Sequence, residues 1–180
     1  MLANSNQKYG PVSRLLHWSS AVIIFGLIGI GLYMTGLDRE DPSRRELYDL
    51  HKALGSLVLL LSLVRVVWIL YAKLPALPEG LKTWERKLAI SAKHLLYLLI
   101  FVLPITGYCM STFFGYPVSF FGQFELPVLF AKNKETAELF KELHSVSAYL
   151  LISVLALHIS GALKHRFFDG GDRDVLKRML

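Results

Sequence analysis

A single cysteine, Cys109, stands in 180 residues. One thiol cannot form an internal disulfide, and its isolation excludes the paired-cysteine attachment of a c-type haem. No glycine-rich phosphate loop sits between a strand and a helix, which removes the common nucleotide-binding folds. Charge is scarce too. Only 19% of residues are Asp, Glu, Lys or Arg while 53% are hydrophobic, and the mean hydropathy is +0.43. An ordinary soluble domain has about a quarter of its residues charged.

The few charges are bunched. Arg14 to Asp38, Lys52 to Lys73, Lys93 to Glu125 and Glu142 to Lys164 enclose long uncharged stretches, broken only by Arg65. Each stretch meets the ~20 apolar residues that cross the hydrocarbon layer as a helix. Four crossings leave no room for a soluble catalytic domain, so residues 1–180 read as one integral membrane domain. The first stretch lies behind Lys8 and Arg14. It is longer than the apolar core of a signal peptide and reads as a retained anchor.

The spans are expected at about 14–37, 48–72, 88–112 and 140–165, giving an all-α, membrane-embedded four-helix bundle. Pro75 and Pro78 break the second connection, and Gly115, Pro117, Gly122 and Pro127 break the third. Residues 113–131 keep their aromatic rings but not helical continuity, and read as an interfacial cap rather than a fifth span. Four spans put both termini on one side. That side carries twelve Lys and Arg against seven on the other, so both termini are expected in the cytoplasm. Asp and Glu run the opposite way, five against nine, leaving the inner face near +7 and the outer near −2. The net charge of +6 then serves topology and lipid contact, and no nucleic-acid role is expected.

The six histidines, His17, His51, His94, His144, His158 and His165, all fall within or at the ends of expected spans. Ionisable groups at membrane depth are costly and usually functional. His144 and His158 share one helix at a separation of 14 residues, about 21 Å along the axis and within about 40° of one face. Orientation makes His144 outer and His158 inner. By depth alone His17 then pairs with His158, and His51 with His144. Two imidazoles facing each other across a bundle core are what a six-coordinate haem iron requires.

The same offset recurs elsewhere. Fourteen residues after His51 stands Arg65, and fourteen after His17 stands Gly31. Arg65 is expected at the inner cofactor's depth, where a haem propionate would neutralise it; the alternative is snorkelling to the interface. Gly31, and Gly55 one turn from His51, would let a macrocycle approach the backbone, the alternative for Gly31 being helix packing. His94 reads as an interfacial residue with quinone contact as the functional alternative. For His165 an exposed tail residue and a quinone or propionate contact stand equal.

These residues resemble the bacterial cytochrome b561 family of four-helix, di-haem membrane proteins. The matching features are Tyr9 and Ser13 ahead of His17-Trp18, His51 with Gly55, Val64-Arg65, and His94-Leu95-Leu96-Tyr97-Leu98. Leu103-Pro104 with Gly107, the His144 to His158 spacing, and the ending Asp174-Val175-Leu176-Lys177-Arg178-Met179 complete them. The resemblance covers nearly the whole chain. It implies two non-covalent b haems ligated by His17, His51, His144 and His158, a place in the bacterial inner membrane, and electron exchange with ubiquinone in a respiratory chain. Some relatives oxidise superoxide on the outer side. The acidic outer loops weaken the steering of an anion, although Arg44, Arg45 and Lys52 form a local positive patch. The expected function is therefore electron transfer between a periplasmic one-electron donor, superoxide among the candidates, and the quinone pool. The rivals are a cytochrome subunit serving a dehydrogenase or hydrogenase partner, and a small proton or metal transporter.

Overall fold

The computed structural model describes residues 3–5, 8–78, 80–169 and 171–180. Four long helices dominate: α1 (Pro11–Thr35), α2 (Ser43–Ala72), α3 (Thr83–Phe113) and α4 (Lys134–Lys164). All four are long and apolar enough to cross a membrane. Large apolar side chains cover their outside, Leu15, Val22, Leu70 and Tyr71 each being at least 70% exposed. Such a surface would associate in water but is the expected one in lipid.

Each helix starts with a local signal that the apolar pattern does not contain. Pro11 opens α1, where a missing N–H costs nothing. Asp41 accepts hydrogen bonds from the Ser43 N–H at 2.9 Å and from its hydroxyl at the head of α2. The Glu85 carboxylate reaches back to the Lys82 N–H at 3.0 Å before α3, and Asn133 Oδ1 accepts from the Thr136 N–H at 3.0 Å before α4. These caps lie outside the charge-poor windows, so α2, α3 and α4 begin about five residues earlier than expected from hydropathy alone.

Residues 114–133 contain no further helix. Two short strands, β1 (Ser119–Phe120) and β2 (Phe124–Glu125), form an antiparallel hairpin that composition did not indicate. Its turn places Phe121 and Gly122 at φ 51° and 74°, the paired positive φ of a type I′ turn. Gly115 ends α3 at φ 85°, where a Cβ would collide with the Lys132 side chain. Phe113 stacks on Phe130 and Phe140 at 4.7 and 5.7 Å between ring centres. Lys52 on α2 donates to the Pro117 carbonyl at 3.0 Å and so holds this cap over the bundle.

The opposite end is stitched by the tail. After α4 the chain continues through a π-helical turn (His165–Asp169) and two 3-10 turns. Arg166 pairs with the buried Asp174. Burial raises the pKa of that carboxyl, while Arg166 and the Lys177 N–H lower it, and the net position is below the ordinary value. Trp18 Nε1 donates to the Met179 carbonyl at 3.0 Å, the Tyr9 N–H to Arg178 at 3.1 Å, and Arg14 to Leu180. Both ends of the described chain therefore meet at one end of the bundle.

Helix packing is uneven. Close backbone approach runs from α1 to α2, α2 to α3 and, most extensively, α3 to α4; among the described residues α4 makes no comparable approach to α1 or α2. Small side chains such as Ala53, Ser62 and Thr112 are buried in these helices, as close helix approach requires. Replacing the α4 cap, Asn133→Ala, is expected to cost about 1 kcal/mol, read as a lower thermal midpoint in detergent. Leu139→Ala on the exposed face should stay within about 0.5 kcal/mol of the parent.

Candidate cofactor sites

The interior contains two sets of imidazoles, one toward the hairpin and one toward the termini. At the hairpin end, His51 on α2 faces His144 on α4 with ring centres 6.3 Å apart and planes at 73°. That is too far for a direct hydrogen bond. It fits two ring nitrogens sharing one metal ion, since bonds of about 2 Å on each side plus two half-rings span roughly 6 Å.

The surroundings of His144 determine which nitrogen is free. Its Nδ1 lies 3.0 Å from the Leu103 carbonyl and 3.2 Å from the Thr106 hydroxyl. That hydroxyl already donates to Val102 and Leu103 carbonyls, so toward His144 it accepts. Both neighbours accept, so Nδ1 carries the proton and Nε2 presents its lone pair to the interior. His51 has a buried Nδ1 with no hydrogen-bond partner. One ring is thus anchored through Nδ1 by α3, and the other has its Nδ1 unpartnered.

Glycines bring backbone against both rings. A Cβ on Gly107 would lie 3.2 Å from His144 Cε1, and one on Gly31 would lie 3.2 Å from His51 Cε1. Gly31 thus makes room for the His51 imidazole itself, where the sequence suggested room for a macrocycle. A Cβ on Gly55 would meet nothing within 4 Å.

At the other end His17, His158 and Arg65 line one cavity of about 580 Å³. Arg65 Nη2 is 3.1 Å from His17 Nδ1 and the guanidinium sits 5.2 Å from the centre of the Tyr97 ring. Arg65 therefore lies at the depth its 14-residue offset indicated and does not reach away to the interface. Trp68 Nε1 donates to Ser13 at 2.9 Å, and Ser13 donates to Asn4 at 2.7 Å, tying α2, α1 and the N-terminal segment around the cavity.

Toward the mouth, His165 joins the cavity wall and its Nδ1 is 2.6 Å from Asp169 Oδ2. Lys164 bridges the buried Glu85 and Asp169. His94 is exposed on another face of α3 and does not line the cavity; its neighbour Lys93 does. Thr106, the Leu103 carbonyl, and the Glu85 and Lys164 pair were not singled out as site groups from sequence. An isolated hydroxyl two residues after Pro104 was the signal available for Thr106.

The donor set suits haem. The His51 and His144 rings oppose each other from α2 and α4, and the His144 Nδ1 proton is engaged by α3, which leaves its Nε2 lone pair for a metal. At the hairpin end Gly107→Val would force the His144 ring off the Leu103 carbonyl, at a cost of about 1–3 kcal/mol. Thermal unfolding should show the loss, whereas Gly26→Val, whose Cβ position is open, should leave the midpoint unchanged.

Residues 8–180 match the family described as prokaryotic cytochrome b561. The chain is 36% identical over 178 residues to cytochrome b561 homolog 2 of Escherichia coli (strain K12), covering 98% of this chain and 93% of that protein. It is also 27% identical over 105 residues to cytochrome b561 homolog 1 of the same organism, 58% of each chain. With four membrane-length helices surrounding inward-facing imidazoles, the chain belongs to the prokaryotic cytochrome b561 family, multi-pass inner-membrane electron-transfer proteins that bind b-type haem.

Proposed function

We propose that this chain carries single electrons across the membrane by way of two b haems, connecting a periplasmic one-electron donor with ubiquinone near the cytoplasmic end. The observation that carries the reading is the 6.3 Å opposition of His51 and His144, with the His144 proton engaged by the Leu103 carbonyl. His17 and His158 form the second ligand pair, on the same cavity. The haem, when bound, supplies the one-electron iron couple; the protein supplies ligation, burial and spacing.

Orientation follows from charge. The end that gathers both termini carries the twelve cationic residues, so it faces the cytoplasm and the aromatic hairpin faces the periplasm. The cytoplasmic cavity supports the choice of quinone. Its walls are apolar at Leu74, Leu77, Trp84 and Leu88, and its fringe is polar at Glu85, Lys164 and His165. An apolar ring fits the first and the proton uptake of quinone reduction fits the second. On the periplasmic side Lys52 is already paired with Asp49 at 2.7 Å and Arg44 lies over Tyr48 at 5.1 Å. The local cationic patch beside His51 is therefore partly engaged, which leaves little steering for an anionic donor.

A reduced-minus-oxidised absorption spectrum of the purified protein, with iron counted per chain, should give two low-spin b haems; one or none would refute the paired-ligand reading. His51→Ala or His144→Ala should remove one haem and spare the other. Purified protein is then offered superoxide and ubiquinone together. Catalysed quinone reduction identifies a self-sufficient oxidoreductase, whereas an inert protein with both haems is a cytochrome subunit that needs a partner.

A further inference from the structure

The chain leaves α4 through one π-helical turn, His165–Asp169. Such turns are rare and recur at functional sites. This one sets the His165 ring against the Asp169 carboxylate, Nδ1 to Oδ2 at 2.6 Å. With Lys164 Nζ 3.6 Å from the same oxygen, the carboxylate is ionised and only accepts, so His165 Nδ1 carries a proton. His165 lines the cavity and Asp169 does not. Nε2 is therefore the ring nitrogen left for a molecule in the cavity mouth.

The charges around this pair come from three elements. From α3 the buried Glu85 faces Lys164 and His165, and Lys164 at the end of α4 bridges Glu85 and Asp169. From the tail Arg173 acts on Asp169 at longer range, while Arg166 is taken by Asp174. The His165 side chain is 12% exposed and that of Lys164 43%, so the imidazole is shielded beside a wet ammonium. His165 stands seven residues past His158, about 10 Å further along the axis toward the cytoplasm. It belongs to the mouth, one level beyond the two imidazoles of the cytoplasmic site.

We propose that His165 is the proton donor to ubiquinone and that Asp169, placed by the π turn, is the residue that positions it. This rests on the quinone reading given above. Reduction of a quinone to the quinol takes two electrons and two protons. The electrons arrive singly, each oxidising one reduced haem couple. For each proton the His165 Nε2–H bond breaks, an O–H bond forms at a quinone oxygen, and the imidazolium becomes neutral imidazole. Asp169 keeps the Nδ1 proton throughout, so the ring offers the same nitrogen each time it is recharged from cytoplasmic water. A general acid works only while it holds its proton, so quinone reduction slows as pH rises.

The test uses full-length, haem-loaded protein, reduced, freed of excess reductant and mixed without oxygen with a short-chain ubiquinone. Reoxidation is followed by visible absorption across the neutral pH range. His165→Gln should lower the maximal rate by about a hundredfold, change the half-saturating quinone concentration little, and abolish the slowing at higher pH. Asp169→Asn should also be slow, because the amide no longer fixes the tautomer, and Asp169→Glu should recover most of the rate. Ferricyanide takes an electron and no proton, and it should reoxidise all of these proteins alike. Normal quinone rates in His165→Gln overturn the proposal. So does a loss that ferricyanide shows equally, which would make His165 a contact of the haem propionates. A normal rate in Asp169→Asn removes the positioning role. Should His165→Gln fail to load haem, the two Asp169 variants decide through the same pair of oxidants. A wild type that ferricyanide reoxidises and ubiquinone does not refutes the quinone reading itself, and this assignment with it.

Discussion

An imidazole N–H buried at membrane depth is costly unless the protein supplies an acceptor, because no water is there to do so. For His144 the partner is the backbone carbonyl of Leu103, supported by Thr106. That contact requires α3 to press closely on α4, and this is the most extensive helix pairing in the bundle. It also requires a residue without a side chain at position 107, where a Cβ would crowd the ring. Pro104 lies within the same turns of α3, and the helix continues through it. The α3 and α4 pair thus fixes the His144 ring, and α2 brings His51 to face it.

The two ends of the bundle use different chemistry for different tasks. The hairpin end is closed by stacked phenylalanines and one lysine to carbonyl contact. The terminal end is held by ion pairs and main-chain hydrogen bonds, with Arg178 donating to the Ala76 carbonyl at 2.7 Å. Beneath these polar fasteners lies the cavity of about 580 Å³ that His17, His158 and Arg65 line.

Much of this was readable from residue order because membrane burial writes itself in charge. The four spans follow from stretches that omit Asp, Glu, Lys and Arg, and the depth of Arg65 follows from its distance along α2 from His51. What was hidden has physical causes. Helix starts at Ser43, Thr83 and Lys134 lie in polar sequence, where caps rather than hydropathy decide. The hairpin rests on two positive-φ residues in a run of aromatics. The Leu103 carbonyl belongs to the backbone, which has no letter of its own, and the exposed setting of His94 depends on how α3 is rotated, a quantity that one helix read alone does not contain.

One further property comes from the continuity of α4. Helix α4 runs unbroken from Lys134 to Lys164 and carries both His144 and His158. Bilayers differ in thickness, and spanning helices respond by tilting or by shifting along the normal. Either response moves the two imidazoles together as marks on a rigid rule. Their separation is a molecular constant of the helix, insulated from the lipid in which the protein happens to sit.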